Sequence, residues 1–119
     1  MKFQLKARVV AIALATPLAL GVVAAPADAR IIPNRCTYTA SEPTLRYGSS
    51  GTAVRQAQCE YNYAVRSPHI SQDGSFGPLT RDAIKRFQRC VGITADGVVG
   101  PITWSHLNYW AAQPSAYAC

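Results

Sequence analysis

The sequence predicts an all-α protein, a small three-helix bundle with irregular, disulfide-tied N- and C-terminal tails. Three observations predict it. Apolar residues recur at helical spacing in two segments, 52–65 and 78–91. The phrase Asp-Gly-x-x-Gly-Pro-x-Thr occurs twice, as DGSFGPLT at 73–80 and DGVVGPIT at 96–103, with five identities in eight positions. Cys36, Cys59, Cys90 and Cys119 are an even set in a short chain that starts like an exported one.

The export signal comes first along the chain. Lys2, Lys6 and Arg8 precede an uncharged run from 9 to 25, and Ala27-Asp28-Ala29 follows. A basic start, an apolar stretch and small residues at the cleavage positions make 1–29 an expected signal peptide, cut after Ala29. The run is shorter than the ~20 residues a span needs, and Pro17 interrupts it, so no stable membrane insertion is expected. Loss of this segment takes away Lys2, Lys6, Arg8 and Asp28. Nine basic and five acidic residues remain in 30–119, a net charge of +4. That field suits an anionic surface such as a cell wall, and export argues against nucleic acid. A chain of this size has a thin core margin, so two disulfides are expected. No Cys-x-x-Cys exists, and His69 and His106 stand alone, so neither metal nor cofactor is expected. Four cysteines allow three pairings. The preferred one joins Cys36 to Cys119 across the two tails and Cys59 to Cys90 between the first two helices. The second choice is Cys36–Cys59 with Cys90–Cys119.

Residues 30–44 hold two prolines and no apolar period, and read as an irregular arm. The stretch LRYGSSG at 45–51 reads as a turn with Ser50 as N-cap of the first helix. In 52–65, Val54, Ala57, Tyr61 and Val65 form one stripe. Cys59 lies roughly 140° from Val54 at 100° per residue and must face another element. The loop 66–72 contains Pro68 and offers Ile70 as an inward anchor. In 78–91, Ala83, Ile84, Phe87, Cys90 and Val91 share a face, and Arg81, Lys85, Arg86 and Arg89 lie largely opposite. Gly92 supplies the stop. A third helix over 101–110 offers Ile102, Leu107 and Trp104 or Trp110 for burial. Residues 111–119 form a tail fixed at Cys119.

The doubled phrase has a physical reading. Asp-Gly turns the chain, because glycine enters positive φ without a Cβ clash. Phe76 or Val99 drops inward as a plug. Gly77 or Gly100 stands at the N-cap, and Pro78 or Pro101 at the first helical position, where a missing N–H costs nothing.

The motifs LRYGSSGTAVRQAQ, DGSFGPLTRDAIKRFQ and GITADGVVGPITW resemble the type 1 peptidoglycan-binding domain family. The resemblance covers 45–110. It implies a three-helix module of a secreted bacterial protein, associated with the cell wall and monomeric. Its implied partner is peptidoglycan, through glycan strands and stem peptides. Such modules usually target a wall hydrolase. Departures from the family are Ala57 where leucine is usual, and Cys59 and Cys90 where no cysteine is fixed.

Glycoside hydrolysis needs two opposed carboxylates. The chain offers Asp73 and Asp96, but each has a turn role, so a non-catalytic module is expected. The alternative is a small disulfide-stabilised protein-interaction or inhibitor protein. Sugar faces suit aromatics, and stem-peptide carboxylates suit arginine. The expected ligand contacts are Arg46, Tyr47, Tyr63, Arg66, His69, Arg81 and Trp104, with Tyr47, Tyr63 and Arg66 sharing one face beside the first Asp-Gly loop. Tyr61 is assigned to the core.

Overall fold

Helices α1 (Thr52–Ala64), α2 (Pro78–Val91) and α3 (Pro101–Ala111) follow one another in the expected order. They are seen in a computed structural model that describes residues 35–119. The expected signal peptide, and residues 30–34 of the arm, lie outside the described residues.

The helix starts follow the doubled phrase. Gly77 and Gly100 are extended N-caps, and Pro78 and Pro101 open α2 and α3. Gly92 ends α2 in the left-handed conformation, with φ 80°. The expected cap at Ser50 is not formed. Gly51 caps α1 with no side-chain bond, and Ser50 instead pairs with Ser75 in an isolated antiparallel bridge. A second bridge joins Leu45 to Val99 through Leu45 N–H to Val99 O at 3.0 Å and the reciprocal bond at 2.8 Å. The 45–50 segment is thus a spacer between the two copies of the phrase, hydrogen-bonded to the backbone of each.

The α1 stripe of Val54, Ala57, Tyr61 and Val65 is fully buried. It meets Ala83, Ile84 and Phe87 of α2, Trp104 and Leu107 of α3, and the plugs Phe76 and Val99. Tyr61 and Phe87 pack edge to face at 6.5 Å. Each such side chain contributes roughly 1.5–3 kcal/mol by leaving water. Two expected inward positions differ. Ile102 is 67% exposed, because the buried face of α3 carries Thr103, Trp104, Leu107 and Ala111, and Ile102 lies off it. Cys90 is exposed, because the inward face of α2 runs through Phe87 to Val91 and Cys90 lies off it.

The preferred disulfide pairing is not the one formed. Cys36 bonds Cys59 and Cys90 bonds Cys119, with Cα–Cα distances of 5.9 and 5.8 Å. The reason lies in how the tails run. Gln56, close to Cys59 on α1, takes the arm. Its Nε2 donates to Cys36 O, and its Oε1 accepts from the Tyr38 and Thr39 N–H groups. That brings Cys36 over Cys59. The tail returns to the end of α1, where Ala118 N–H donates to Ala64 O and Arg66 N–H donates to Cys119 O. That leaves Cys119 for the exposed Cys90.

Candidate functional site

The two Asp-Gly turns are held by glutamines on the preceding helices. Gln58 Oε1 accepts from Gly74 N–H, and its Nε2 donates to Asp73 Oδ1, Ser75 O and Thr80 Oγ1. Gln88 Oε1 accepts from Gly97 N–H, and its Nε2 donates to Asp96 Oδ1, Val98 O and Thr103 Oγ1. Both glutamines are buried. The Ser75 N–H and the Gln58 amide hold the Asp73 carboxyl below its usual range, and Val98 N–H with Gln88 does the same for Asp96. These carboxylates are turn fasteners kept ionised.

The outer flank of α1 carries a cleft of about 680 Å³ between the arm and the tail. Tyr63 and Asn62 of α1 form its floor. Arg35 and Tyr38 enter from the arm, His69 and Gln72 from the 66–72 loop, and Gln113 and Tyr117 from the tail. Asn62 fixes the loop by exchanging two hydrogen bonds with the Ile70 backbone, at 2.8 and 2.9 Å. Among the described residues no Asp or Glu lines the cleft. Its tyrosines are each covered by a guanidinium: Arg35 over Tyr63 at 4.1 Å, Arg66 over Tyr117 at 4.9 Å and Arg55 over Tyr38 at 5.4 Å. Each pair contributes roughly 0.5–1 kcal/mol at an exposed site and holds the ring in place.

The structure divides the expected ligand contacts. Tyr63 and His69 line the cleft, and Arg66 reaches it through Tyr117. Tyr47 and Arg81 form a separate pair, with the guanidinium 5.3 Å from the ring centre. Arg46 lies in that same turn, its N–H donating to Ser49 Oγ. The single face expected for Tyr47, Tyr63 and Arg66 is therefore split. Trp104 is corrected outright: it is 1% exposed, and its indole N–H donates to Pro43 O at 2.8 Å. It is a core residue that ties down the arm. The residues missed from sequence are Arg35, Tyr38 and Tyr117. They lie in segments without period, and the signal that marks them is their place beside Cys36 and Cys119.

Residues 50–107 match the family model described as a putative peptidoglycan-binding domain. The chain belongs to this family. It is 42% identical over 113 residues to an uncharacterised protein of Kitasatospora aureofaciens, covering 89% of this chain and 94% of that one. It is 45% identical over 65 residues to a zinc D-Ala-D-Ala carboxypeptidase of Streptomyces albus G, covering 54% of this chain and only 26% of the carboxypeptidase. A crystal structure of a peptidoglycan-binding protein from Clostridioides difficile superposes with a TM-score of 0.52 at 34% identity. That match covers 59% of this chain and 43% of the other. Arg35 and Tyr38 precede the matched residues of the peptidoglycan-binding family, and Gln113 and Tyr117 follow them. The cleft is built on the family module by segments outside it.

Proposed function

We propose that this chain is a secreted, non-catalytic module that binds bacterial cell-wall peptidoglycan, with the α1 cleft as its contact surface. Family membership over 50–107 is the observation that carries the reading. The site chemistry supports it, since aromatic rings and amides complement sugars, and a cleft without carboxylates accepts an anionic polymer. The acids support a binding role over hydrolysis. Asp73 and Asp96 are held ionised by turn bonds, whereas a general acid needs a raised pKa. Two disulfides, the +4 balance of 30–119 and the 1–29 export pattern support a protein acting outside the cell at the wall. Co-sedimentation of the oxidised protein with purified sacculi tests this. Retention in the pellet is expected. Protein left in the supernatant at low salt overturns the reading.

A further inference from the structure

Sugar rings and stem peptides ask different things of a site. A glycan strand presents flat C–H faces, hydroxyls and N-acetyl amides. A stem peptide presents carboxylates, which need a guanidinium with its donors unused.

Among the described residues, Arg35 is the only Lys or Arg that lines the cleft. That guanidinium sits over the Tyr63 ring, 4.1 Å from its centre, and its Nη2 already donates to Ala111 O and Gln113 O at 3.0 and 2.9 Å. Its Nη2 thus holds the tail, and the group covers the floor. Tyr38 and Tyr117 are different. Both line the cleft and both are 43% exposed. Arg55 and Arg66, which cover them, do not line it. Each ring is covered by a guanidinium that is not part of the lining, and keeps exposed surface in the cleft. Polar ends lie beside them. Gln72 Oε1 accepts from Tyr38 Oη–H, which leaves its Nε2, and Gln113 Nε2 donates to Tyr109 O, which leaves its Oε1.

We propose that the arm and tail form a saccharide-binding site, in which Tyr38 and Tyr117 stack sugar rings of the glycan strand while Gln72 and Gln113 bond its neutral polar groups. The ligand class is a chain of N-acylated amino sugars, recognised apart from its peptides. This rests on the wall-binding reading and narrows it. It also gives the disulfides a role in recognition, because Cys36–Cys59 fixes the platform of Tyr38 and Cys90–Cys119 that of Tyr117.

The test uses the oxidised protein with two ligands, peptide-stripped glycan strands and isolated stem peptides, and with whole sacculi. Tyr38→Ala with Tyr117→Ala is compared with Tyr38→Phe with Tyr117→Phe, which keeps the rings. Folding is checked by thermal melting. The expected result is binding of stripped strands by wild type, at least about tenfold weaker binding by the alanine pair, and near wild-type binding by the phenylalanine pair. Wild type that binds stem peptides but not stripped strands overturns the proposal. So does an alanine pair that is folded and sediments with sacculi as wild type does, and in that case the wall-binding reading stands. Wild type that binds neither sacculi nor strands overturns both.

Discussion

Gln58 and Gln88 do the same work in the two halves of the fold: each accepts from the glycine N–H of its Asp-Gly turn at 2.9 Å. Each also donates to the aspartate, a backbone carbonyl and the threonine of its own copy of the phrase. Replacing either with leucine leaves a glycine N–H and several acceptors without their partner. An unsatisfied buried group costs about 1–3 kcal/mol, so Gln58→Leu and Gln88→Leu should each lower stability by at least that much. Urea unfolding of the oxidised protein measures it. Because the two networks share no residue, the double variant should lose close to the sum.

The same turns should contribute to the acid sensitivity of the fold. Asp73 and Asp96 have folded-state pKa values below the ordinary 3.8, chiefly through the N–H groups of Ser75 and Val98. A depressed carboxyl favours the folded state above the unfolded value, and that contribution is lost as pH falls through the folded value. The melting temperature should therefore hold steady down to about 4 and drop below it. Asp73→Asn with Asp96→Asn should flatten that drop. A parallel acid limb in the double variant would assign the loss to other groups.

What the sequence made legible follows the range of each interaction. The turn, plug and helix start of each phrase are local, and Phe76, Val99, Pro78 and Pro101 stand where turn chemistry puts them. The α1 stripe is a period within one helix, and it too is buried as read. Gln58 was not legible, because its partner Asp73 is 15 residues away while Asp96 is 8 from Gln88. The longer loop hides the correspondence. Cys59 was rightly turned away from the core stripe, but angle alone does not say whether the arm or α2 waits there. The arm and tail carry no period at all. Their course is set by bonds such as those of Gln56 to Cys36, Tyr38 and Thr39, so the cleft they form could not be read from spacing.

Disulfide removal should separate the tails from the bundle. The bridges close separations of 23 and 29 residues, and each is expected to contribute about 2–4 kcal/mol. Cys90→Ser with Cys119→Ser should lower stability by that amount and weaken sacculus retention. The α-helical circular dichroism at 25 °C should remain, since the core cluster contains neither cysteine. Non-reducing peptide mapping should recover Cys36 with Cys59 and Cys90 with Cys119. Recovery of Cys59 with Cys90 would contradict the fold of both tails.

Trp104 and the Tyr47–Arg81 pair give the sharpest separation of stability from binding. Trp104 is buried, and Trp104→Phe removes both its bond to Pro43 O and part of its volume. A cost of about 1–3 kcal/mol in unfolding is expected. The folded fraction should still bind sacculi as wild type, because the ring touches no ligand surface. Tyr47→Ala and Arg81→Ala break an exposed cation–π pair, worth roughly 0.5–1 kcal/mol, and should leave both stability and retention nearly unchanged. Tyr63→Ala acts in the opposite sense. It removes the floor on which Arg35 lies and frees that guanidinium from its ring, at small cost to the core stripe. Retention should fall with little change in melting temperature. Sacculus sedimentation across the four variants, each scaled to its folded fraction, places the contact surface on the α1 cleft if only Tyr63→Ala loses binding. Loss in Tyr47→Ala and Arg81→Ala instead would move the surface to the turn before α1.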